Sequence, residues 1–86
     1  MSKHIKDVIV YATLSCPYCK MEDTWLDKQG INHKLVFVDL SPKDAQAMVK
    51  KTGQMGVPVT EIMYDDTSSE YVVGFDQQKL TQILGV

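Results

Sequence analysis

The only two cysteines of the chain lie in Cys16-Pro17-Tyr18-Cys19, directly after the apolar run Val8-Ile9-Val10-Tyr11 and directly before a stretch that reads as helix. A strand that delivers a cysteine to a helix N-terminus sets its sulfur beside unpaired backbone N–H groups and the positive end of the helix dipole. Both favour thiolate over thiol. Cys16 is therefore a candidate nucleophile. Cys19 follows about one helical turn later, lies on the same face and can close a disulfide with little backbone movement. Attack by the first sulfur and resolution by the second is dithiol–disulfide exchange.

Other uses of the pair are weighed against this one. A buried structural thiol would leave Pro17 and the helix start unexplained. Zinc needs four ligands, and the remaining donors are His4, His33 and scattered carboxylates, none at finger-like spacing, so no metal residues are assigned. A non-catalytic iron–sulfur or zinc binder using the same cysteines stays open as an alternative. Tyr18, in the first helical turn beside the nucleophile, is either packed on its helix or part of a substrate groove, and groove is favoured. Trp25 reads as core or half-buried flank. Lys20 reads as a solvated charge that could modestly favour a Cys16 thiolate.

The elements that must hold this pair follow from periodicity and caps. Val8–Tyr11 is short, β-branched and uninterrupted, as expected of a strand in the middle of a sheet. Pro17 suits the first turn of a helix running to Gln29, with Tyr18, Met21 and Trp25 on one stripe, Leu26 beside it and Gly30 as stop. Lys34 to Asp39 reads as a second strand. Ser41 caps a helix with Pro42 in its first turn, and Ala45, Met48, Val49 and Thr52 recur at helical spacing until Gly53. Val59 to Tyr64 is a third strand, Asp65 to Ser69 a polar turn, and Tyr71 to Val73 the returning strand of a hairpin. Asp76 caps a last helix, Phe75 before it can staple onto Leu80, and Ile83 and Leu84 complete an apolar face.

The order is β-α-β-α-β-β-α, an α/β arrangement in which a helical crossover makes the first two strands parallel and the hairpin adds antiparallel ones. At 86 residues the chain suits one domain, 1–86. Its hydrophobic fraction of 44% and charged fraction of 23% are those of an ordinary globular protein. A net charge of -2 argues against a nucleic-acid partner. No stretch has the length of a membrane span, and Met1-Ser2-Lys3-His4 shows no signal-peptide core, so a cytoplasmic location is expected. In that reducing compartment a Cys-x-x-Cys pair is catalytic or metal-binding rather than a staple.

Cys16-Pro17-Tyr18-Cys19, the later Val57-Pro58, and Gly74-Phe75-Asp76 before the last helix together resemble the glutaredoxin branch of the thioredoxin superfamily, over nearly the whole chain. The resemblance implies a thioredoxin fold, a four-stranded mixed sheet flanked by three helices, in which the bond before Pro58 is cis and faces the cysteines. Val57 would then offer its backbone to an extended substrate. It implies a glutathione groove formed by Tyr18, Val57 and the Gly74, Phe75, Asp76 turn, with N–H groups at Asp76 meeting a glutathione carboxylate, as helix N-termini favour anions. It further implies redox exchange with disulfide-containing proteins or glutathione-mixed disulfides, glutathione as co-substrate, no tightly bound cofactor and a monomer. In some members two chains share a cluster through these cysteines.

Two positions depart from the pattern. Thr13 stands where many glutaredoxins carry a lysine that meets a glutathione carboxylate, and Gly74-Phe75 stands where many have Gly-Gly. Both weaken the case for tight glutathione binding. The Gly-Phe turn is similar to that of the glutaredoxin-like redoxins that serve class Ib ribonucleotide reductase, for which thioredoxin reductase is the electron source.

Overall fold

A computed structural model describes residues 4–86 of the chain; the reading of Met1, Ser2 and Lys3 lies outside the described residues. The elements are β1 (Ile5–Ala12), α1 (Pro17–Lys28), β2 (Lys34–Phe37), α2 (Pro42–Thr52), β3 (Val59–Tyr64), β4 (Ser69–Val73) and α3 (Gln77–Leu84). They form one four-stranded sheet in the order β2-β1-β3-β4. β1 runs parallel to β2 and antiparallel to β3, and β3 runs antiparallel to β4. This is the mixed sheet and element order expected from the sequence. β1 is central, and Val8, Val10, Tyr11 and Ala12 are all buried there.

Element ends differ from the sequence reading where pairing, not composition, decides them. β1 begins at Ile5 rather than Val8, because Ile5 pairs with Tyr64 across the sheet. β2 stops at Phe37, two residues before Asp39, where a turn closes through Leu40 N–H to the Phe37 carbonyl (3.1 Å). β4 begins at Ser69, opposite Met63, so the hairpin turn is tighter than the polar run suggests. The helix caps stand as expected. Ser41 Oγ accepts from Asp44 N–H (3.4 Å) and Asp76 Oδ1 from Lys79 N–H (3.1 Å), contacts of a kind typically worth about 1 kcal/mol each.

The sheet separates two apolar clusters. Ile62, Tyr64, Val72 and Leu80 are buried on the α3 side, with Trp25, Phe75, Ile83 and Leu84 packed against them. Phe75 thus meets the cluster that contains Leu80, as a staple should, and its ring also meets Trp25 edge-on at 6.0 Å. Tyr11, Met48 and Val59 form the second cluster on the α2 side. Strand alternation explains the division: Thr60, Ile62 and Tyr64 face one way, Val59 and Glu61 the other.

The face of α1 is the clearest departure from the sequence reading. Cys19, Glu22 and Leu26 are its buried residues, whereas Met21, placed on one stripe with Tyr18 and Trp25, is 52% exposed, and Tyr18, for which a groove position was favoured over packing, is 62% exposed. Both triplets have the same i, i+3, i+7 spacing, one residue or about 100° apart around the helix. The helix docks through the smaller stripe. A carboxylate is carried inside as a result.

Candidate active site

Register brings the separate motifs to one end of the sheet. Tyr11 pairs with Val59, and Val59 with Val73, so the end of β1, the start of β3 and the end of β4 lie level. The segments leaving those points are Thr13 to Cys16, Val57-Pro58 and Gly74 to Asp76. The Val57–Pro58 bond is cis. Gly74 N–H donates to the Pro58 carbonyl (2.8 Å) while its own φ is +80°, a left-handed conformation that a side chain at this turn would strain.

Cys16 is the N-cap of α1, with Pro17 at the start of the helix, and is partly exposed. Its Sγ accepts a hydrogen bond from Cys19 N–H at 3.2 Å. A donor aimed at sulfur from a helix N-terminus stabilises negative charge as it forms there. Cys19 is different: 3% exposed, with its thiol pushed up to about 12. Burial is the main cause, followed by the hydrogen bond with Cys16, and the negative charges of Cys16 and Glu22 add to it; a backbone hydrogen bond at Thr13 opposes it. The accessible sulfur is thus the one served by the helix terminus, and the other is kept protonated behind it. Both cysteines are free thiols.

Of the expected groove residues, Phe75 and Thr13 line two separate depressions, and Tyr18, Val57, Pro58, Gly74 and Asp76 line neither. Met21, Trp25, Phe75 and Gln77 line one of about 250 Å³ between α1 and the start of α3. Thr13 lines another, of about 230 Å³, with Cys19, Lys20 and Phe37. Tyr18 stands exposed on the first turn of α1 and is not packed inward. Val57 is half-buried and Pro58 buried, while Asp76 is exposed and uses its carboxylate as the α3 cap. Lys20 is exposed at the edge of the depression that Thr13 and Cys19 line.

His33 is not turned toward the cysteines as a fourth-ligand scheme would need. Its ring nitrogens meet the Ile31 carbonyl (2.9 Å) and Asp23 Oδ1 (2.6 Å). Burial pulls its pKa down, but that carbonyl and the Asp23 and Asp27 carboxylates outweigh it and raise the value above the ordinary one.

Glu22 is the site residue that sequence reasoning missed. It is 0% exposed, one turn beyond Cys19. Thr60 Oγ1, on β3 two residues after Pro58, donates to its Oε2. Its Oε1 meets no hydrogen-bond partner. Burial raises its pKa to about 6, against the lowering effects of the Thr60 hydroxyl and the His33 charge. The available signal was the spacing Cys19-Glu22-Leu26, which becomes an inner stripe once Cys19 is taken as buried.

Comparison with known proteins agrees with this geometry. A family model described as glutaredoxin matches residues 8–65. A glutaredoxin-like 8.6 kDa protein of the Clostridium pasteurianum rubredoxin operon is 28% identical over 75 residues, covering 87% of this chain and 93% of that protein. The glutaredoxin of Archaeoglobus fulgidus superposes with a TM-score of 0.75 at 23% identity, over 91% of this chain and 85% of the other. The glutaredoxin-like NrdH-redoxin of Escherichia coli, whose structure is described as the basis of a thioredoxin-like activity profile, gives 0.75 at 20%, over 91% and 95%. Among the described residues no helix is long and apolar enough to cross a membrane.

Proposed function

The chain belongs to the glutaredoxin family, and from that premise we propose that it is a dithiol reductase of protein disulfides and glutathione-mixed disulfides, working in the cytoplasm with glutathione as co-substrate. The observation that carries this reading is the asymmetry of the two sulfurs. Cys16 is accessible at a helix N-cap, and Cys19 is buried one turn on within hydrogen-bonding relation to it. Cys16 attacks a substrate sulfur, forming a mixed disulfide and releasing one thiolate. Cys19 then attacks Cys16 Sγ, closing the Cys16–Cys19 disulfide and releasing the second substrate thiol. Two electrons pass from the dithiol to the substrate, and an external reductant restores them. Tyr18, Val57, Pro58 and the Gly74, Phe75, Asp76 turn are assigned to substrate binding around this pair.

Cys16→Ser is expected to abolish reduction, because its hydroxyl cannot form the mixed disulfide. Cys19→Ser is expected to accumulate an adduct on Cys16. Mass spectrometry of the two variants after exposure to a disulfide substrate checks this. An adduct on Cys19 in Cys16→Ser, with none on Cys16 in Cys19→Ser, would reverse the roles.

A second reading concerns the electron source, and Thr13 and Phe75 favour it. Here the protein is a redoxin recharged by thioredoxin reductase, serving as electron donor to ribonucleotide reductase. Incubating the oxidised protein with reduced glutathione, or with thioredoxin reductase and its nicotinamide cofactor, distinguishes the two by which one restores the dithiol. Thr13→Lys adds a partly exposed cation worth under about 1 kcal/mol, so glutathione affinity is expected to rise several-fold and the gain to shrink with salt. Turnover across glutathione concentration at two ionic strengths measures it.

A further inference from the structure

We propose that Glu22 accepts the proton that Cys19 gives up when it resolves the mixed disulfide. The proposal rests on the reading of Cys16 as nucleophile and Cys19 as resolving thiol. Cys19 and Glu22 are three residues apart on α1, and residues so spaced share a helix face with Cβ atoms about 5–6 Å apart. Both side chains are buried, at 3% and 0% exposure, so a carboxylate on the same buried face lies nearer the Cys19 proton than bulk water does. Glu22 anchors one carboxylate oxygen on Thr60 and leaves the other without a partner. A purely structural anchor needs only the first oxygen, and glutamine would provide it without burying a charge. The second oxygen is what a proton acceptor requires.

The chemistry of resolution supplies the need. Burial pushes the Cys19 thiol up, so little of it is ionised at neutral pH and a nearby base assists its attack. Burial, the leading cause of that rise, persists when the mixed disulfide forms. In the step itself the Cys19 S–H proton passes to the Glu22 carboxylate, the Cys19–Cys16 S–S bond forms, and the bond from Cys16 to the substrate sulfur breaks with its electron pair on the leaving thiolate. Glu22, whose ionised form prevails at neutral pH, then passes the proton on to solvent and is ready for the next cycle.

The groups that face Glu22 define its pH behaviour. Cys19 lies on its own helix and His33 approaches from the segment before β2; β3 presents the non-titrating Thr60, and the β1 residues on that face, Val8, Val10 and Ala12, carry no charge. His33 opposes the rise caused by burial, and the carboxyl titrates near 6, so it is ionised and able to accept at neutral pH.

The test uses the reduced full-length protein mixed rapidly with a symmetrical chromogenic nitroaryl disulfide. Attack by Cys16 releases one nitroaryl thiolate and resolution by Cys19 releases a second, so two phases of colour are expected. The second phase of the wild type is expected to rise through pH about 6 and then level off. In Glu22→Gln, which keeps the Thr60 acceptor, it should fall at least ten-fold relative to the first phase at neutral pH and lose that inflection. Glu22→Asp, a carboxylate one methylene shorter, should keep the inflection with a slower rate, which preserves the test if Glu22→Gln does not fold. A second phase with no carboxyl-range inflection in the wild type, or one unchanged in Glu22→Gln, overturns the proposal. Absence of a first phase in the wild type would instead overturn the assignment of Cys16 as nucleophile.

Discussion

Two carboxylates are buried on opposite faces of the same sheet, and the protein treats them differently. Glu61, on the α2 face of β3, is 2% exposed and fully engaged. Tyr11 Oη donates to its Oε1 (2.9 Å), Tyr71 Oη to its Oε2 (3.3 Å), and Lys51 Nζ pairs with it at 3.3 Å. Glu22, reaching β3 from α1 on the other face, has one hydroxyl donor and an oxygen with none. The consequences appear in the partners' titrations. Burial and then the bond to Glu61 push Tyr11 upward, and Lys51 is held above its ordinary value because Glu61 and Tyr11 outweigh its desolvation. A buried charge with three donors ties three strands and a helix together. A buried charge with one donor is held at the edge of protonation, beside the cysteines.

The largest effect is expected from breaking the satisfied site. Glu61→Ala strands two tyrosine hydroxyls and the Lys51 ammonium, and should cost about 3 kcal/mol in chemical denaturation. Lys51 is itself 42% exposed and can turn to water, which keeps the loss from being larger. A loss below about 1 kcal/mol would place this network with ordinary surface ion pairs.

Glu22→Gln should move stability the other way. The folded chain holds this carboxyl proton near pH 6, above the 4.5 of an unperturbed carboxyl, so the folded state binds it more tightly than the unfolded state does. The contribution is therefore fully present below about 4.5 and lost as pH rises through about 6, a difference of about 2 kcal/mol. The variant is expected to gain up to that amount over the wild type above pH about 6.5, and the gain should vanish below pH about 4.5. Paired denaturation curves across this range measure it. A variant that is less stable at high pH would make Glu22 a structural carboxylate like Glu61.

Thr60→Val sharpens the contrast with the smallest change of shape. It removes the single donor to Glu22, so the ionised form loses about 1.5 kcal/mol near neutral pH, with the loss shrinking in acid, where the carboxyl is protonated. The pH-dependent fall in stability should shift upward. A pH-independent loss would mean that the hydroxyl serves β3 packing and not the charge.

The nucleophile, its resolving partner and most of the frame were legible because they rest on local rules. A cysteine between a strand and a proline-led helix declares an N-cap, Ser41 and Asp76 declare two more, and alternation and helical spacing separate the elements. The level placement of Cys16, Pro58 and Gly74 was reachable only through resemblance to a family, since no local rule sets the register of β1 against β3 and β3 against β4.

The sequence by itself determined where chemistry could occur and which elements would carry it, since capping and periodicity act over a few residues. Tertiary structure alone decided what surrounds that chemistry. On α1, Tyr18-Met21-Trp25 and Cys19-Glu22-Leu26 are equally spaced, and apolar content favours the first. Docking on the sheet turned the second inward, leaving Tyr18 and Met21 at the surface and carrying Glu22 to Thr60. The helix angle that buries a carboxylate depends on long-range packing and on a hydroxyl 38 residues away, and no reading of neighbouring residues contains it.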